Sequence, residues 1–233
     1  MTVPRNNASP VCVYEFSDTF TLGGITYLRD YGPYGLHAAF PGGGANPTKQ
    51  LDGSHSFDGG DYLTLPLAYY QYAPVAQHTW ITWVGYPVGT GTLFSCWNGG
   101  GGGANNRGTR YALGAAPTVS AYVGTGGAAF NQNNAGTSYY AGRHGVMLHT
   151  VEATCRAVRE TLFVTTAWGV GAYGNPVYDA TVPPWIGQTF GPANQYTGRI
   201  YYLAQLPYAA TNEELLWFVS ELREGRKPYT ARA

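Results

Sequence analysis

Charge is what this chain has least of: 13 Lys and Arg against 13 Asp and Glu among 233 residues, 11% in all, where a soluble domain averages about 25%. The two signs cancel, so nothing supplies the electrostatic footprint that nucleic acid or an anionic membrane needs, and neither is expected as a partner. A charge-poor surface with 20 Tyr repels other copies weakly, so sister subunits or other proteins are expected against it. Cysteine is scarce and odd in number: Cys12, Cys96 and Cys155 form no CxxC and have no His at ligand spacing. That excludes a zinc site by pattern and any full disulfide framework. Three buried thiols acting as small hydrophobes are expected, with a single bridge left open. No run of 18 apolar residues occurs, so no membrane-spanning helix is expected. The start MTVPRNNASPVCVYEF lacks the basic residues and apolar run of a signal peptide, so export by that route is not expected.

What is abundant points to β-structure. The 33 Gly and 15 Pro suit many tight turns, and 20 Tyr, 9 Phe and 6 Trp supply bulky side chains for a layered core. Seven segments read as strands of β-branched and aromatic residues: FDGGDYLTL (57–65), HTWITWV (78–84), GTLFSCW (91–97), RYALG (110–114), VMLHTVEAT (146–154), ETLFVTT (160–166) and TGRIYYLAQL (197–206). HTWITWV alternates Trp80, Thr82 and Val84 against Ile81 and Trp83, which predicts a strand covered on both faces. An N-terminal strand, VCVYEF, is followed by a turn at Leu22-Gly23-Gly24. The expected fold is all-β, a two-sheet antiparallel jelly-roll sandwich with one short C-terminal helix. A single domain over 1–233 is expected, with a core over about 11–222 and arms at 1–10 and 223–233.

The helix is specified by its ends. Thr211 with Glu214 forms a capping box, and Leu215, Phe218, Val219 and Leu222 repeat on one face. Gly225 suits a left-handed cap and Pro228 stops propagation. The tail KPYTARA is expected to be free to touch a neighbour.

Three stretches read as loops: PGGGANPTKQ (41–50), NGGGGGANNRG (98–108) and FNQNNAGTSYYAGRHG (130–145). The five-glycine run has neither GxxxxGK[ST] nor a GxGxxG opening a helix, so it is no phosphate cradle. Trp97, Asn105, Asn106, Arg107, Asn131, Asn133, Asn134, Tyr139 and Tyr140 are expected to converge at one rim. Of these, Trp97, Asn105, Asn106, Arg107, Asn133, Tyr139 and Tyr140 are the candidate glycan-binding residues, since aromatic faces stack on sugars and amides bond hydroxyls. His37, His55, His78, His144 and His149 are scattered and are expected to be loop or sheet residues.

The order of the segments resembles the concanavalin A-like lectin/glucanase superfamily, in particular the laminin G-like jelly rolls found in bacterial and bacteriophage structural proteins. The resemblance runs over about residues 50–222. It rests on Phe57-Asp58-Gly59 with Asp61-Tyr62-Leu63, on His78–Val84, and on Leu148-His149-Thr150-Val151-Glu152-Ala153-Thr154. It continues through Leu162–Thr166, without the usual Asn-Gly, then Trp185-Ile186-Gly187, Tyr196–Leu203 and Asn212–Leu215.

The resemblance implies chemistry to look for. Glycanases of the superfamily carry an E-x-D-x-E-like strand, because retaining hydrolysis needs two carboxylates about 5–5.5 Å apart. Here Glu152 is the one acid on an expected central strand, with Glu160 behind a turn, so no enzyme is expected and a glycoside hydrolase is the weakest of three functions considered. Calcium lectins gather Asp, Asn and carbonyl oxygens, which makes Asp58 and Asp61 metal candidates, with Asp179 before PPWIGQ; ordinary turn chemistry is the rival reading of Asp58 and Asp61. Otherwise no cofactor is expected.

The preferred expectation is a non-enzymatic virion structural protein at the particle surface, a capsid decoration or tail-associated subunit. It would dock on capsid or tail proteins and sister subunits, and a glycan-binding rim is allowed for. The alternative is a secreted calcium-dependent carbohydrate-binding module, a lectin.

Overall fold

A computed structural model of the protein describes residues 8–85, 90–98, 106–114, 118–126, 130–135, 145–153, 155–159, 162–166, 174–189 and 194–230. The strands are β1 (Cys12–Leu22), β2 (Ile25–Asp30), β3 (Ala38–Ala39), β4 (Thr48–Lys49), β5 (His55–Asp58), β6 (Leu63–Thr64), β7 (His78–Gly85) and β8 (Gly91–Ser95). They continue as β9 (Arg107–Leu113), β10 (Val119–Thr125), β11 (Phe130–Ala135), β12 (Gly145–Val151), β13 (Cys155–Arg159), β14 (Leu162–Thr166), β15 (Trp185–Ile186) and β16 (Thr197–Leu206). One helix, α1 (Asn212–Arg223), follows. The fold is the expected all-β jelly-roll sandwich with a single short C-terminal helix among the described residues.

The strands form one rolled ribbon in the order β11-β10-β9-β8-β15-β6-β3-β2-β1-β16-β7-β12-β13-β14. The β1–β2 hairpin makes the corner; Gly23 and Gly24, with φ 59° and 82°, supply the two positive φ values that its tight turn demands. The ribbon's two ends then lie face to face, β10 over β12 and β11 over β13 and β14. Strand β16 is central to the second layer. One of its edges pairs with β7, and the other is shared between β1 (Cys12↔Gln205 to Glu15↔Tyr202) and β5 (Thr197↔Asp58 to Ile200↔His55).

Two apolar cores follow from strand alternation. Trp80 and Val84 of β7 point between the layers with Phe16, Phe94, Tyr111, Met147 and Leu203. Ile81 points the other way, joined by Val13, Leu148, Tyr202 and Ala204 and sealed by Leu215, Phe218, Val219 and Leu222 of α1. Both faces of β7 are therefore covered, one by the opposite layer and one by the helix. The helix starts where its cap dictates: Glu214 N–H donates to Thr211 Oγ1 at 3.2 Å, and Thr211 N–H donates to Glu214 Oε2 at 2.8 Å. Cys12, Cys96 and Cys155 are free, buried thiols, and burial raises the pKa of each.

Four expectations are corrected. FDGGDYLTL is two short strands in different layers, because the Asp58–Asp61 turn hands the chain from β5 beside β16 to β6 beside β15. The start of the 130–145 stretch is strand β11, since backbone pairing with β10 (Val119↔Ala135 to Gly124↔Phe130) does not require apolar side chains. CRAVR forms an additional strand, β13, between β12 and β14. The C-terminal tail is not free: Lys227 Nζ pairs with Glu15 at 2.6 Å, Tyr202 OH donates to the Pro228 carbonyl at 2.8 Å, and Tyr229 packs beside Phe218. Residues 1–7 and 231–233 of the expected arms lie outside the described residues.

Candidate functional site

The outer face of the β8–β9–β10 layer carries the site. On β9 the side chains of Thr109, Tyr111 and Leu113 point inward, so Arg110 and Ala112 point out; on β10 Val119, Ala121 and Val123 point inward, so Ser120 and Tyr122 point out. The register places Arg110 opposite Tyr122 and Ala112 opposite Ser120. These four line a pocket of about 220 Å³ with Leu113, Gly114, Thr90, Gly91, Asn194 and Gln195. Its floor is made of small residues and its wall is a cation on an aromatic ring: the Arg110 guanidinium carbon lies 3.7 Å from the Tyr122 ring centroid. Burial lowers the Arg110 pKa, and its Nε is buried with no hydrogen-bond partner.

The rim is built by a close backbone approach. Thr92 N–H donates to the Asn194 carbonyl at 2.8 Å and Thr197 N–H to the Thr90 carbonyl at 3.0 Å, which lays residues 194–197 against the start of β8. Gly91 permits this, because with φ 115° a Cβ there would sit 2.2 Å from the Gln195 carbonyl oxygen. Asn194 takes the left-handed conformation (φ 63°), which Asn tolerates better than most residues.

Of the residues singled out in the sequence, Trp97 joins this face, edge-on to Tyr122 at 6.3 Å. It is 7% exposed, so its ring is packed rather than open. Asn106 is also buried, its carbonyl accepting from Gly126 N–H. Arg107 pairs through its backbone with Asn98 and lies near Asp179 at the strand end. Asn133 is paired on β11 with Ala121, not in a loop; Asn131 and Asn134 share that strand. Asn105, Tyr139, Tyr140, His144 and Glu160 lie outside the described residues. Arg110, Tyr122, Asn194 and Gln195 were not singled out; the polar phase of the RYALG and SAYV alternations is the signal that marks the first two.

The other candidate chemistry resolves into local structure. Asp58 N–H donates to Asp61 Oδ2 at 2.9 Å and Gly60 N–H to Asp58 Oδ1 at 2.8 Å, the bonds of an aspartate turn. Asp61 is buried and its pKa raised by that burial. Asp179 accepts from Asn98 Nδ2 at 2.6 Å and from the Thr181 hydroxyl and amide, which lower its pKa. Among the described residues no three His, Cys, Asp or Glu side chains are grouped to hold a metal ion. Glu152 pairs with Arg156 at 2.8 Å, and Arg156 reaches on to Asn212 and the Ala210 carbonyl, tying β13 to the start of α1. His78 and His149 are fully buried between the layers, and desolvation pulls their pKa values down to about 4 and about 3.

No protein-family model and no curated protein matches the chain. Solved structures do. A botulinum neurotoxin DC binding domain in complex with SialylT aligns with a TM-score of 0.58 at 11% identity over 93% of this chain and 52% of that one. The CBM40 of the Ruminococcus gnavus IT-sialidase aligns at 0.51 with 12% identity, over 76% of this chain and 92% of that one. Trypanosoma rangeli sialidase, in complex with a difluoro-KDN compound, aligns at 0.54 with 15% identity, over 90% of this chain and 32% of that one. The chain thus spans about half the length of the toxin domain and a third of the sialidase. At these identities the likeness establishes the fold alone, a β-sandwich.

Proposed function

We propose that the protein is a non-enzymatic carbohydrate-binding module that seats a sugar in the Arg110 pocket. The observation that carries this is the pocket's make-up: a small-residue floor of Ala112 and Ser120, a wall of Arg110 on Tyr122, and Asn194 and Gln195 at the rim. A polar ring needs convergent hydrogen-bonding groups around a shaped recess, and these side chains supply them. A volume of about 220 Å³ lies below the range of roughly 300–1,000 Å³ typical of drug-sized ligands. The site therefore suits one terminal ring better than an extended chain. Other domains with this fold support the assignment, one being the toxin domain that carries SialylT. Glu152 is committed to Arg156 on the helix-bearing layer, far from this role, which supports binding without hydrolysis.

A glycan array with the full chain tests it, followed by calorimetry on the hits. Binding should appear, should fall at least about tenfold in Tyr122→Ala, and should come without release of reducing ends. A chain that binds no glycan, or releases reducing ends in a Glu152-dependent way, sinks the reading.

A second reading, a virion structural or decoration subunit, is favoured by 11% charge together with exposed apolar groups. Leu22, Leu51 and Val75 are more than half exposed, and Tyr34 stacks on Tyr72 at 3.7 Å at the surface. Recovery of the chain from purified particles in many symmetric copies is its test.

A further inference from the structure

We propose that the Arg110 pocket selects a sugar bearing a carboxylate, with the Arg110 guanidinium as the anchor for that group. The proposal rests on the reading of the pocket as a saccharide site and deepens it to a ligand class.

Arg29, Arg156, Arg199 and Arg226 each pair with a carboxylate of their own chain. Arg110 pairs with none among the described residues, and its Nε is buried with no hydrogen-bond partner. A half-buried cation without a counter-charge is costly to keep, so such a group is expected to meet its partner from outside. The guanidinium carbon lies 3.7 Å from the Tyr122 ring centroid, so the ring backs the cation where it lines the pocket. Two parallel N–H donors match the two oxygens of a carboxylate. Among the described residues no second Lys or Arg lines the pocket, which disfavours a doubly charged phosphate. Asn194 and Gln195 line the same pocket, and polar groups there suit the ring hydroxyls of the same sugar.

The test uses the full chain and matched immobilised glycans: glucuronate-terminated against glucose-terminated, N-acetylneuraminate-terminated against galactose-terminated, the methyl esters of both acids, and a sulfated galactose. At least one acid should bind about 10- to 100-fold tighter than its neutral partner, the span expected for a charge-assisted hydrogen-bond pair. Its ester should lose that advantage, an arm that leaves the protein unaltered. Arg110→Gln should bind acid and ester alike, and Arg110→Lys should recover only part of the preference, with both variants checked for wild-type melting. Equal binding of acid, ester and neutral glycans overturns the selectivity and leaves the saccharide site standing. Preference for the sulfated glycan, or an acid preference that survives in folded Arg110→Gln, also overturns it. Binding to no glycan overturns the saccharide-site reading, and this proposal with it.

Discussion

Truncating Phe218 to Ala probes the element on which one whole layer depends. Phe218 is 1% exposed, and its ring packs beside Trp217 at 4.8 Å and Tyr229 at 6.0 Å. Beneath it lie the outward side chains of four strands, Val13, Ile81, Leu148 and Tyr202. The rigid sheet on one side and the pinned tail on the other leave little room for collapse, so the cavity should persist. Loss of such a side chain costs about 3–5 kcal/mol. For a chain of this size about 1 kcal/mol moves the melting midpoint by roughly 2–4 °C, so a fall of about 6–20 °C is expected. Leu216→Ala is the control: Leu216 is 41% exposed on the same helix and should shift stability by no more than about 0.5 kcal/mol. Urea unfolding followed by Trp fluorescence, with scanning calorimetry, reads both variants. If Phe218→Ala melts within about 2 °C of wild type, the helix does not seal this face and the two-core account is wrong.

The buried histidines predict acid sensitivity. With His78 lowered from 6.5 to about 4 by desolvation, the unfolded chain takes up a proton below about pH 6.5 that the folded chain refuses, so stability falls as pH drops from there towards 4. His78 alone should cost about 2 kcal/mol at pH 5, with His149 acting in the same direction, and a urea midpoint unchanged between pH 7 and pH 5 would contradict this. Gly91→Ala should destabilise by about 1–3 kcal/mol, because a Cβ at φ 115° meets the Gln195 carbonyl. The displaced rim should also weaken glycan binding, and a variant with wild-type melting and affinity would show that the close approach is not needed.

How much of this was legible depends on whether the signal is local. HTWITWV shows its two covered faces by alternation alone, and Thr211–Pro228 carries its cap, stripe and stop within 18 residues, so both are read directly from the chain. FDGGDYLTL is uniform enough to pass for one strand, and nothing local says that Asp58 and Asp61 close a turn between layers. FNQNNA reads as a loop because its side chains are polar, yet pairing with β10 asks only for backbone donors and acceptors. The pocket was missed for a related reason. Arg110 and Tyr122 are 12 positions apart and meet only because of the β9–β10 register, while Asn194 and Gln195 arrive from a distant segment. The conspicuous loop residues drew attention instead, and Trp97 turned out to support Tyr122 from the side.

Which layer carries the site follows from how each is covered. The layer of β1, β16, β7 and β12 is apolar on both faces because α1 and the pinned tail bury the outer one, and a polar ligand has nowhere to enter it. The layer of β8, β9 and β10 is apolar only inward. Its outward positions hold Arg110, Ser120 and Tyr122, residues that a second apolar cover would leave without water or partners. A helix packed there would have to bury the Arg110 charge, whereas a sugar supplies oxygen atoms at that spot. The same asymmetry separates the predictions: loss of Phe218 should lower stability with little change in the affinity of the folded fraction, and loss of Arg110 should do the reverse. A Phe218→Ala protein that remains folded but loses its acid preference would show that the two faces are coupled through the sandwich, and would require the pocket's geometry to depend on the helix after all.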